Sequence, residues 1–277
     1  MFYKFNTKDL IMANLQEIAE NIRKRDLVEA LKLCDEYENE KNKYLIYNFK
    51  GVIYLLKDEL SIAETNFIEA EKINNKFIDP IKNLYLIYLK KQSFKDLLIY
   101  AKKLFAFDNL NSDYAYKLAY AYELNYQQGD AIRQYISCIE LNGENKKQSL
   151  NNIGCIYIKR NKPKIALDYF LKSIKFGEDK IIVNNTLNSY VLLRDLEKCS
   201  LYINKAEKID KDFIEFQYNK ARYLILKNEI KEAIEILKKN RDKPKFLITL
   251  LILYFNLGEN DLGNKLFNET KDEAKKN

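Results

Sequence analysis

Small residues recur along this chain at steps close to 34 residues, and that period constrains the fold more than any bulk property. The series runs Ala30, Ala63, Leu97, Ala131, Ala166, Cys199, Ala233 and Gly263, with only the last step clearly shortened. Four residues after each stands a mostly larger apolar residue: Cys34, Phe67, Ala101, Tyr135, Phe170, Ile203, Leu237 and Phe267. Twelve residues before each lies a second slot, held by Ile18, Gly51, Tyr85, Ala119, Gly154, Leu187, Ala221 and Leu251. Three residues after that slot come Tyr54, Tyr88, Tyr122, Tyr157, Tyr190, Leu224 and Tyr254, with Asn21 of the first period out of pattern. A period of this length means one supersecondary unit used repeatedly, each copy burying its apolar face against its neighbours.

Only 7 Gly and 3 Pro interrupt a chain of 277 residues that is 47% apolar, so the repeated unit reads as helical. Each period predicts a helix A, a short turn and a helix B, as in residues 150–160 followed by 163–176. Pro163 suits the first turn of helix B, where its missing N–H has no intrahelical partner to lose. Further turns are expected at 57–58, 91–93, 126–129, 227–229 and 258–260. Glycine inside a helix costs roughly 1 kcal/mol against alanine, so Gly51 and Gly154 imply close backbone approach of A to B. Where the slot holds Tyr85, Leu187 or Leu251, the hairpin must splay or repack.

The combination resembles the tetratricopeptide repeat family, whose pattern places a glycine slot, a tyrosine and then A-x3-F on a period of 34. The resemblance covers roughly Ile11 to the C-terminus, after a short lead at residues 1–10. It implies a single array with repeats at about 11–43, 44–77, 78–111, 112–146, 147–179, 180–213, 214–243 and 244–277. The implied fold is all-α: antiparallel helix hairpins stacked as a right-handed superhelical α-solenoid, with the A helices lining its concave wall.

Helix geometry then selects the side chains facing that groove, at three before, one after and four after the slot. Among them are Lys82, Tyr116, Tyr120, Asn151, Asn184, Asn188, Tyr218, Arg222, Ile248, Ile252 and Phe255. Two before the slot stand Asn83, Asn152, Asn185 and Asn219, resembling the asparagine ladder with which some tetratricopeptide superhelices hold a peptide backbone. An amide both donates and accepts, so a row of them either grips a peptide or ties one helix to the next. The two-carboxylate clamp of the same family fits poorly: Lys82 is followed by Leu86, and Lys117 stands where the next asparagine belongs. The last A helix, residues 246–255 (FLITLLILYF), is apolar on every face and so expects cover from its neighbours, a partner or a second copy.

Catalysis finds little support. With no histidine, Ser-His-Asp and Cys-His arrangements and ordinary zinc sites are excluded, and no phosphate-binding glycine loop is present. The acidic run at 35–40 (DEYENE) reads as a solvated face. No cofactor is implied. The net charge of +7 invites a nucleic-acid reading, with groove tyrosines as stacking platforms. Against it, acidic residues are interspersed throughout and the basic spots at 159–164 and 238–245 fall in expected turns. No stretch of about 20 apolar residues and no secretory signal is evident, and Cys34, Cys138, Cys155 and Cys199 read as reduced thiols of a cytoplasmic protein. The expectation is a non-enzymatic interaction module that binds a peptide or helix of a partner protein in its groove, acting as a scaffold or assembly factor. Homodimerisation through the C-terminal repeat is a second mode, and a helical-repeat RNA-binding protein is the alternative.

Overall fold

The computed structural model describes the backbone of residues 7–274 and the side chains of residues 12–270. Sixteen α-helices and no strand occur among the described residues. The chain divides into two units, Met1–Asn145 and Lys146–Asn277. The first contains α1 (Thr7–Lys24), α2 (Leu27–Tyr37), α3 (Lys43–Leu56), α4 (Leu60–Ile73), α5 (Ile78–Lys90), α6 (Phe94–Phe107), α7 (Ser112–Leu124) and α8 (Gln128–Glu140). The second contains α9 (Lys146–Lys159), α10 (Pro163–Ile174), α11 (Lys180–Leu193), α12 (Leu196–Asp210), α13 (Ile214–Leu226), α14 (Ile230–Lys239), α15 (Pro244–Asn256) and α16 (Asn260–Ala274). Odd-numbered helices are the expected A helices and even-numbered ones the B helices. α1 begins at Thr7, within the stretch read as a lead.

One backbone device repeats at every A-to-B turn. Arg25, Asp58, Gln92, Tyr126, Asn161, Arg194, Asn228 and Gly258 all have positive φ and all stand seven residues after the glycine slot. The next residue's N–H reaches back to the carbonyl of the tyrosine position, as in Glu59 to Tyr54, Ser93 to Tyr88 and Lys162 to Tyr157. This six-to-one bond is the Schellman closure, which satisfies a carbonyl the helix end leaves orphaned. Only Gly258 takes the left-handed conformation without a steric cost; asparagine and aspartate tolerate it, while Tyr126 and Arg194 are held there by the closure itself.

Small slots face large side chains in the hairpins α3–α4 and α9–α10. A Cβ added at Gly154 would lie 2.4 Å from the Phe170 ring, and one at Gly51 would lie 2.6 Å from Phe67. In α5 and α6 the sizes invert, Tyr85 occupying the slot and Ala101 the facing position, both buried in one apolar cluster. Backbone approach is most extensive in the pairs α3–α4, α7–α8 and α9–α10, whose slots hold Gly51, Ala119 and Gly154; it is less so in α5–α6 and α11–α12, with Tyr85 and Leu187, and also in α13–α14 despite Ala221, so slot size is not its sole cause. The last hairpin departs from the pattern: Phe267 is exposed, Leu266 is buried in its place, and Gly263 faces Phe255.

Outside the core, ion pairs tie successive helices. The acidic run expected to be merely solvated does more: Asp35 and Glu38 hold the Lys50 ammonium at 2.8 and 3.0 Å, linking α2 to α3. None of the four cysteines is in a disulfide, and three of them are buried.

Candidate functional site

In the second unit the A helices are joined by side-chain amides. Asn185 on α11 donates to the Asn151 side-chain oxygen on α9 at 2.9 Å and reaches the Cys155 sulfur at 3.5 Å. Asn151 in turn lies 3.5 Å from the Asn152 side-chain oxygen. One hairpin on, Asn219 of α13 donates to Asn184 of α11 at 2.9 Å, and this pair is 4% and 5% exposed. The register follows from the period: an amide two before the slot meets an amide three before the slot of the preceding hairpin. Buried amides without partners would cost about 1–3 kcal/mol each, so pairing is what lets them sit there.

Arg222 extends the row. Its Nη1 donates to the Asn188 side-chain oxygen at 2.7 Å and to that of Asn219 at 3.0 Å, while the guanidinium lies 5.6 Å from the Tyr218 ring centre. Burial lowers its pKa, and the neighbouring Tyr218 and Cys199 side chains pull the other way; a guanidinium nonetheless stays charged. Cys199, behind it, is pushed up to about 11, chiefly by burial. Because Thr249 donates to the Lys245 carbonyl at 2.8 Å, the Tyr218 hydroxyl is the donor in its 3.1 Å contact with Thr249, which carries the network onto α15. The Tyr218 ring also meets Phe246 edge-on at 5.2 Å.

On α15 the all-apolar surface divides. Phe246, Leu250, Leu253 and Tyr254 are buried against α13, α14 and α16, whereas Ile248, Ile252 and Phe255 are 55%, 55% and 45% exposed. The row of expected groove residues thus runs from amides on α9 and α11, through Tyr218 and Arg222 on α13, to exposed Ile248 and Ile252 on α15, whereas Phe255, expected to face away from the B helix, lies partly over Gly263 of α16.

The first unit arranges its share differently. Lys82 on α5 is paired with Asp79 of its own helix at 3.2 Å, and Asn83 makes no side-chain hydrogen bond. Tyr116 on α7 packs its ring 5.7 Å from that of Tyr135, and Tyr120 is half-buried. One tie between α5 and α7 is the Tyr85 hydroxyl donating to the Lys117 carbonyl at 3.5 Å, with burial and then the nearby Tyr120 and Tyr116 raising the Tyr85 pKa. Two residues not singled out in sequence complete the second unit's face: Thr249, which receives the Tyr218 hydroxyl, and Arg194, which lines a pocket with Arg222. Thr249 stands two before the slot, the position that Asn83, Asn152, Asn185 and Asn219 hold in other repeats, and its contact with Tyr218 keeps their register; a hydroxyl in place of the amide left it outside the asparagine row. Arg194 was discoverable only as the residue forced into the left-handed turn.

No group of three or more His, Cys, Asp or Glu side chains among the described residues is placed to hold a metal ion. No helix among them is long and apolar enough to cross a membrane. No protein-family model matches the chain, and no curated protein matches it in sequence. Solved structures do. PilF of Pseudomonas aeruginosa superposes with a TM-score of 0.61 at 13% identity, over 76% of this chain and 98% of that one. A tetratricopeptide repeat protein from Parabacteroides merdae gives 0.60 at 15% identity, over 88% and 98% of the respective chains. YrrB, described as a TPR protein with an unusual peptide-binding site, gives 0.51 at 18% identity, over 64% and 91%. With the 34-residue period and the repeated hairpins, these likenesses establish that the chain has the tetratricopeptide-repeat fold.

Proposed function

We propose that this chain is a non-enzymatic protein-interaction scaffold, and that the A-helix face of its second unit binds an extended segment or helix of a partner protein. The observation that carries the reading is the exposed row Ile248, Ile252 and Phe255 continuing a face of amides and a guanidinium. Hydrocarbon of this kind supplies affinity, and amide and guanidinium donors satisfy the backbone of an incoming segment. YrrB's description as peptide-binding supports the reading by analogy of fold. Asn184 and Asn219 serve mainly to tie α11 to α13, leaving Asn151, Asn152, Asn185 and Asn188 as the amides nearer the ligand. In the first unit Lys82, Asn83, Tyr116 and Tyr120 form the corresponding face.

The test places a photo-crosslinking phenylalanine analogue at position 252 and maps the captured segment by mass spectrometry. One partner segment, lost on Ile248→Ser with the crosslinker kept at 252 and helicity unchanged, supports the groove. Labelling spread over unrelated proteins in the same yield from both forms would remove it. Tyr218 is left intact because its contacts with Thr249 and Phe246 make it structural as well. Exposed Leu257, Leu262 and Phe267 on the same hairpin give self-association as a second mode, and sedimentation of Phe267→Ser against the native chain tests it. Four cysteines outside any disulfide accord with a reducing, cytoplasmic setting.

A further inference from the structure

We propose that the pocket between α11 and α13 recognises an acidic side chain, an Asp or Glu flanked by aliphatic residues in the bound segment. The proposal rests on the peptide-binding reading above and adds the chemistry of one contact. The pocket, about 320 Å³, is lined by Val191, Leu192, Arg194, Arg222, Ile225 and Leu226. A half-buried arginine, Arg222, and an exposed one, Arg194, therefore stand among four aliphatic residues.

Neither arginine makes an ion pair with any described carboxylate. By contrast, Lys50, Lys147, Lys180, Lys205 and Lys220 all have acidic partners within 3.0 Å. Arg222 spends only Nη1 on its neighbours, and both acceptors are neutral amides. A guanidinium has five N–H donors in a planar fork, and those on Nε and Nη2 meet no acceptor among the described residues. The side-chain nitrogen of Asn188, whose oxygen is taken by Arg222, likewise donates to nothing described. The site is thus rich in donors and poor in acceptors, carries uncompensated positive charge, and is partly withdrawn from water. A half-buried charge is costly unless paired, and a carboxylate matches the guanidinium fork in shape and sign.

The aliphatic walls decide between anions. Val191, Leu192, Ile225 and Leu226 suit hydrocarbon beside the carboxylate and offer nothing to a hydrated phosphodiester, and no aromatic ring lines the pocket to stack a base. An acidic peptide is therefore favoured over RNA.

Two pools of short synthetic peptides, acetylated and amidated so that no terminal charge remains, test the idea on the immobilised full chain. One pool has a central Leu-Glu-Val, the other Leu-Gln-Val, with the remaining positions randomised. The expected result is retention of the Glu pool about tenfold above the Gln pool, falling to parity with Arg222→Gln and partway with Arg194→Gln. Arg222→Lys should restore little, because an ammonium keeps the charge without the fork. The comparison of pools on the native protein needs no variant to fold. Equal retention of both pools would overturn acid recognition while leaving peptide binding intact. Retention of neither, or Arg222-dependent retention of a uridine-rich single strand instead, would overturn both readings.

Discussion

In residues 146–277 consecutive A helices are stitched by amides, Asn185 to Asn151 and Asn219 to Asn184, each at 2.9 Å. Residues 1–145 hold the same pair of positions once, as Asn48 on α3 and Asn83 on α5, yet no bond forms: the Asn48 side-chain oxygen is buried without a partner. Successive hairpins there are joined instead by charge and phenol, with Tyr88 donating to Glu64 at 2.7 Å and Lys103 pairing with Glu71 at 2.6 Å. Lys90 with Asp58 and Lys91 with Glu64 add to this seam. The contrast teaches that a repeat period puts residue types into register, whereas a hydrogen bond also needs distance and angle that the intervening packing sets.

The largest effect should come from what the units share. Phe170→Ala and Phe67→Ala each remove a fully buried ring facing a glycine, and each is expected to cost about 3–5 kcal/mol. Hydrogen exchange followed separately over residues 12–145 and 146–270 should place each loss in its own unit, and a loss spread equally over both would break the division. Next comes the amide contrast itself. Asn184→Leu strands the Asn219 amide and should destabilise by about 1–3 kcal/mol, while Asn48→Leu removes an acceptor already unsatisfied and should be neutral or stabilising. Equal losses in thermal or urea melts would mean that the two units use their asparagines alike.

A pH series sharpens the second unit further. Asp179 accepts from the Ile181 and Ile182 N–H groups at 2.9 and 3.0 Å and pairs with Lys147 at 2.8 Å. Burial alone would raise its pKa, but Lys147 and these N–H groups outweigh burial and hold it below the ordinary carboxylate value. Its contribution is therefore present above that ordinary value, near 3.9, and is lost as pH falls through the depressed folded one. Asp179→Ala should cost about 1 kcal/mol near neutrality, as for other N-caps, and its melting curve should converge on the native one in acid. A constant gap down to the lowest pH would assign the effect to helix propensity instead.

The smallest expected change is a gain. Tyr126 is exposed and left-handed at φ 60°, so Tyr126→Gly should stabilise by a few tenths to about 1 kcal/mol, and Gly258→Ala should lose a similar amount. No gain at Tyr126 would show that its ring contributes more than its backbone costs.

Much of the fold was legible because its cause is local and repeated. Small slots at Gly51 and Gly154, large partners at Phe67 and Phe170, and Pro163 at a helix start all act within one hairpin, so a sequence period reports them directly. The last hairpin was misread in detail, since Leu266 and not Phe267 turns inward once the preceding link is shortened. The candidate face was legible as a set of positions and not as a set of roles. Periodicity placed Asn184, Asn219, Arg222 and Ile252 on one side of their helices, but it did not tell a paired, buried amide from an exposed one.

The sequence by itself determined the hairpin, its period and the places of the turns between helices A and B. Tertiary structure alone decided which amides bond, that Arg222 rests on neutral oxygens with no counter-ion, and that Arg194 in a left-handed turn shares its pocket. The reason is range. Slot sizes and turns are satisfied within about 34 residues of chain, whereas the partnering of a polar side chain depends on the spacing and tilt between neighbouring hairpins, which every packed residue between them helps to set.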